Sequence, residues 1–104
     1  MQKHTQIYMN FFGFKVAEDC VCEIPGCGVP AQDINHIDAR GMGGNPLGDK
    51  NHITNLMASC RPHHLKHGDV KADKEWLRAV HNDYIMRHGK VDQIQAAGIL
   101  IKDL

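Results

Sequence analysis

Within residues 3–14 the apolar side chains fall at Ile7, Tyr8, Phe11 and Phe12, a spacing that predicts a short helix over 3–12 with Gly13 as its stop. Residues 31–37 (A-Q-D-I-N-H-I) alternate instead. Ala31, Asp33, Asn35 and Ile37 share one side of an extended chain, and Gln32, Ile34 and His36 the other, which predicts a short strand. Asn55 to Ser59 (N-L-M-A-S) predicts a second strand that ends at Cys60, and Pro62 suits the first turn of a helix opening near Arg61. Asp73 reads as the N-cap of a longer helix through His88, with Gly89 just past its end. On that helix Trp76, Val80 and Tyr84 recur every four residues beside Leu77 and Ile85, a stripe assigned to the core. Ile94, Ala97, Ile99, Leu100 and Ile101 suggest one more short helix or strand near the C-terminus.

The segments between these elements are equally distinct. Pro25, Gly26, Gly28 and Pro30 place residues 23–30 on a tight turn, and residues 40–50, with four glycines and a proline, form a loop. No repeat, low-complexity tract or linker interrupts the 104 residues, so one domain is expected. Hydrophobic residues make up 42% of the chain but aromatic ones only 6%, so its interior is small. A bound metal is a common remedy for a core of that size.

Candidate ligands for such a metal come in two pairs. C-E-I-P-G-C supplies Cys22 and Cys27, and C-R-P-H-H supplies Cys60 and His63. Three thiolates and an imidazole at these spacings suit tetrahedral structural zinc. Cys20 is a rival to Cys22 for the first position. Zinc of this kind contributes about 10–16 kcal/mol of apparent folding free energy in small peptides. Asn35, His36 and His64 remain outside the zinc set and are what a second, hard cation would need for phosphodiester chemistry. His36 is a candidate general base, since a neutral imidazole accepts a proton near neutral pH.

Twelve basic residues cancel twelve acidic ones, so no global field draws the chain toward nucleic acid. No run approaches the roughly 20 apolar residues that a membrane span requires. The N-terminus lacks the apolar run of a signal peptide, so a cytoplasmic location is the default expectation. In that compartment four cysteines are expected as metal ligands or free thiols. His4, His52, His81 and His88 carry no such pattern and are expected at the surface.

A strand carrying N-H-I, a glycine-rich loop, a strand opening with Asn55 and a helix carrying His64 together resemble the HNH endonuclease family over about residues 20–68. The resemblance implies an α+β fold: a small ββα-metal, treble-clef-like core with a zinc knuckle and flanking helices. It implies His36 as general base, Asn55 as the side chain bracing the loop between the strands, and His64 as a ligand of the catalytic cation. Asn35 stands where the family usually has Asp or His as the other ligand, which leaves Asp33 or Asp38 as alternative donors. His67 matches a further helix ligand of some members, although it lies three residues after His64 rather than four.

The implied function is hydrolysis of DNA with Mg²⁺ or Mn²⁺ as catalytic cation and Zn²⁺ as structural ion. Arg40 and Lys66 are candidates by position for gripping the phosphate. Concerted cutting of both strands would require a homodimer. Small stand-alone HNH proteins are similar to those of bacteriophages and prophages, which implies a role in phage DNA processing. The contrasting expectation is a zinc-binding nucleic-acid or protein interaction module without catalysis. Zero net charge and the neutral Asn35 both favour it.

Overall fold

The computed structural model of the chain describes residues 2–38, 50–68 and 70–99. Helix α1 (Lys3–Phe12) turns Tyr8, Met9, Phe11 and Phe12 inward and ends at Gly13, whose φ of 79° only a residue without Cβ adopts readily. The chain then makes a knuckle in which Val21 bridges Pro30, the Cys22 N–H donates to the Val29 carbonyl and the Cys27 N–H to that of Ile24. Gly26, at φ 81°, lets the turn close between the two cysteines.

Strand β1 (Asp33–His36) pairs antiparallel with β2 (Leu56–Ser59), Asp33 facing Ser59 and His36 facing Leu56. The Glu23 N–H donates to the Ala58 carbonyl, which fastens the knuckle to β2. Helix α2 (Arg61–His67) starts immediately after β2 with Pro62 in its first turn, where the missing N–H is harmless. Helices α3 (Lys74–His88) and α4 (Val91–Ala96) follow. The result is a small α+β fold around a two-stranded antiparallel sheet. One core cluster joins α1 to β2, α3 and α4 through Tyr8, Phe12, Leu56, Ile85 and Ile94. A second, around Cys22, Ile37, Met57, Cys60 and Leu77, backs the knuckle. No helix among the described residues is long and apolar enough to cross a membrane.

Three expectations need correction. Asn55 closes a single 3-10 turn (Ile53–Asn55), and the second strand starts one residue later at Leu56. Asp73 does hold the N-cap position of α3, but its side chain makes no capping bond, because it ends a 3-10 turn and its carboxylate is bonded to His67 instead. The buried stripe of α3 is Leu77, His81 and Ile85, while Trp76 is 44% exposed. Leu77 and Ile85 are buried and Val80 and Tyr84 pack half-buried against the two clusters as expected, and His81 joins them through buried polar partners.

Candidate functional site

The knuckle and the start of α2 bring Cys22, Cys27, Cys60 and His63 together, with their ligand atoms all within 4.8 Å of one another. Cys27 Sγ lies 3.9 Å from Cys60 Sγ, and His63 Nδ1 lies 3.6 Å from Cys22 Sγ and 3.2 Å from Cys60 Sγ. Zinc with ordinary bond lengths sets tetrahedral S···S and S···N edges of about 3.8 and 3.6 Å. The four side chains can therefore hold a metal ion, and their chemistry and spacing are compatible with structural zinc. Burial pushes the Cys22 thiol up to about 11. The Val29 backbone N–H draws Cys27 down, with the neighbouring thiols adding to the effect. A divalent cation is the natural means of ionising three thiols crowded together. Cys20, the rival, is buried in the first core cluster, away from this set.

Adjacent residues of β1 serve opposite sides of the strand, as the two-residue period requires. Ile34 packs into the cluster containing α1, and the His36 ring stands 4.6 Å from that of His4 on α1. Asp33 and Asn35 turn toward α2. Asp33 Oδ2 lies 3.1 Å from His64 Nδ1, and the Arg61 guanidinium reaches the same carboxylate at 3.4 Å. Partial burial pushes the Asp33 carboxyl up, but the His64 and Arg61 hydrogen bonds and the Arg61 charge together outweigh it and hold it below the usual carboxylate range. Asn35 Oδ1 accepts from the Ser59 hydroxyl at 2.7 Å. His64 is thus matched to Asp33, the donor left as an alternative, rather than to Asn35.

Asn55 is buried and braces the polypeptide. Its Oδ1 accepts from the Asp38 N–H at 2.7 Å, and its Nδ2 donates to the carbonyls of Asp38 and Lys50 at 3.1 and 2.9 Å. One amide therefore joins the outgoing limb of the hairpin loop to the returning limb. His67 is engaged elsewhere, its Nδ1 2.8 Å from Asp73 Oδ2 and its ring against Trp76. Lys66 is exposed on α2, and Arg40 lies outside the described residues.

Several histidines expected at the surface are structural instead. His81 is fully buried, with Nε2 2.6 Å from the Ile53 carbonyl and Nδ1 2.6 Å from Glu23 Oε1. Its Nε2 donates to that carbonyl, and the Glu23 contact holds one further proton between carboxylate and imidazole. Glu23 Oε2 accepts from the Tyr8 hydroxyl and the Ala58 N–H at 2.6 and 3.0 Å. His52 caps the 3-10 turn by accepting from the Thr54 N–H, while its Nε2 donates to the Ala97 carbonyl at 2.8 Å. His4 is buried against His36. The one signal in the sequence was the position of His81 midway between Leu77 and Ile85, four residues from each. No family model, curated protein or solved structure matches the chain.

Proposed function

We propose that the chain is a metal-dependent endonuclease of the HNH type, in which β1, β2 and α2 form a ββα-metal core beside a structural zinc. The single observation that carries this reading is the Asn55 brace. A buried amide ties both limbs of the hairpin loop, with His36 at the end of β1 and His64 on the helix that follows β2. A binding module stabilised by zinc has no need of that arrangement.

His36 removes a proton from the water that attacks phosphorus. Asp33 and His64 would hold the catalytic cation, with the Asn35 carbonyl on the same strand face. Their 3.1 Å separation matches two neighbouring ligands of an octahedral Mg²⁺ or Mn²⁺ site, about 3.0 Å apart. When bound, that cation would supply Lewis-acid stabilisation of the charge that builds on the phosphate. Among the described residues β1 has β2 on one edge and no strand on the other. A phosphodiester lying along the other edge would meet His36 from one face and the Asp33–His64 pair from the other. The Lys50 ammonium is shielded from solvent with no hydrogen-bond partner among the described residues, a demand that a phosphate oxygen would satisfy.

One observation favours the alternative of a zinc-binding module without catalysis. Among the described residues no third carboxylate, thiol or imidazole joins Asp33 and His64 in a metal-sized cluster. Nicking of supercoiled plasmid by the zinc-loaded protein with Mn²⁺ or Mg²⁺ decides between them. The nuclease reading expects cleavage that His36→Ala lowers at least about 100-fold, in the range of a lost general base, and that His64→Ala also lowers. A folded, zinc-bound wild type that cuts with neither cation supports the module instead.

A further inference from the structure

We propose that Asn51 orients His36, fixing the tautomer in which Nδ1 is the proton-accepting atom; the catalytic part of this inference rests on the nuclease reading. Asn51 Oδ1 lies 2.8 Å from His36 Nε2. An amide oxygen only accepts, so Nε2 carries the hydrogen and the lone pair of the neutral ring resides on Nδ1. The His4 ring, on α1, packs against the same ring at a tilt of 48°, so His36 is held by a hydrogen bond and by packing.

A side chain orients another well only when its own backbone is fixed. Three of Asn51's near neighbours are each tied down by a different element. The Lys50 carbonyl accepts from Asn55, just ahead of β2. The His52 ring reaches the Ala97 carbonyl just past the end of α4. The Ile53 carbonyl accepts from His81 of α3, which is itself held by Glu23 beside the zinc cluster. Buried His81 and half-buried His52 thus both fasten the short limb that presents Asn51. An amide also does this without a negative charge. A carboxylate at the same position would orient the ring equally well but would repel a phosphodiester.

The test uses the zinc-loaded full chain and three variants, Asn51→Leu, Asn51→Asp and Asn51→Ser, the last as a smaller replacement should Leu impair folding. Nitrogen-15 NMR of the histidine rings, with His36→Gln to assign the signal, is expected to show the Nε2–H tautomer in wild type and Asn51→Asp. Asn51→Leu or Asn51→Ser should give a mixture of tautomers. In the plasmid assay the Leu and Ser variants should lose about 10–100-fold in kcat with little change in KM, the usual range for groups that orient a functional histidine. Asn51→Asp should recover kcat while raising KM. An Nδ1–H tautomer in the wild type, or an unchanged single tautomer in Asn51→Leu, would overturn the orientation. Full kcat in Asn51→Leu alongside an inactive His36→Ala would overturn its catalytic role. A wild type that never cleaves would remove the nuclease reading and that role together, while the tautomer still decides whether Asn51 orients the ring.

Discussion

His63 and His64 are neighbours in the chain and end in two regions built on different principles. His63 joins three cysteines in a cluster whose four ligands would saturate one cation, so that region is complete in itself. Among the described residues His64 meets one carboxylate, Asp33, while His36 is held by Asn51 and the ring of His4, on a limb that hydrogen bonds from α3 and to the segment after α4 fasten. A region of the first kind stands or falls with its ion. A region of the second kind depends on many small contacts, and each can be changed without unfolding the chain. That difference is what would be expected of a staple beside a working site.

Losing the staple should have the largest effect. Cys60→Ser, or removal of the metal by a chelator, should abolish the cooperative thermal transition, because zinc of this type supplies on the order of 10 kcal/mol to a core this small. Circular dichroism and zinc content measured together check it, and a variant that melts within a few degrees of wild type would break the comparison. Next in size is the buried Glu23–His81 pair, which connects the two regions. His81→Leu leaves a carboxylate buried without its partner and should cost about 3–5 kcal/mol in urea unfolding, with one zinc per chain retained. Adding Glu23→Gln should return part of that loss. If His81→Leu instead released zinc, the two regions would be one.

The two regions also differed in how legible they were in the sequence. The cysteine spacing named its own ligands, because thiolates at close intervals have few other uses, and Cys22, Cys27, Cys60 and His63 do converge. The helix over 3–12, both strands and the turn from Cys60 into α2 followed from local pattern to within a residue or two. The second region did not. His81 looks polar in a helical pattern, and only its partner Glu23, 58 residues away, makes it a core residue. Asn51 and His52 lie beside a glycine-rich loop where local pattern carries no information about which side chain will meet His36. The role of Asp33 depended on strand direction relative to α2, which period alone could not supply. Long-range polar pairing is settled by tertiary geometry, and a hydrophobic pattern is silent about it.

Gly68 offers a way to disturb the second region while sparing the first. A Cβ there would stand 2.4 Å from His64 Cδ2 and 2.5 Å from the His64 carbonyl oxygen, so both the ring and the last turn of α2 must shift. The backbone at Gly68 is helical (φ −60°, ψ −37°), where alanine gains up to about 1 kcal/mol over glycine, offsetting part of the crowding. Gly68→Ala should therefore cost about 1–3 kcal/mol and keep its zinc, yet displace His64 from Asp33 and reduce plasmid nicking. Unchanged nicking with a displaced ring would remove His64 from the catalytic set.

The smallest effect concerns the Asp33 pair itself. Its carboxyl is held below the usual carboxylate range in the folded chain, where His64 and Arg61 together outweigh the opposing effect of partial burial. A folded-state value lower than the unfolded one means a stabilisation present at neutral pH and lost as the carboxylate is protonated. The advantage of wild type over Asp33→Asn in urea midpoint should thus be present at about pH 5. It should shrink as pH falls through roughly 3.9, the ordinary carboxylate value, and below it. Because the Arg61 guanidinium is largely exposed, the full difference should be under about 1 kcal/mol and should weaken in salt. Using the difference between two zinc-loaded chains cancels the acid loss of zinc they share. An advantage that grew as pH fell below about 5 would mean that Asp33 is stabilised in its protonated form. It would then be a poor ligand for any cation, and the contrast between a saturated staple and a cation-ready pair would fail at its weaker half.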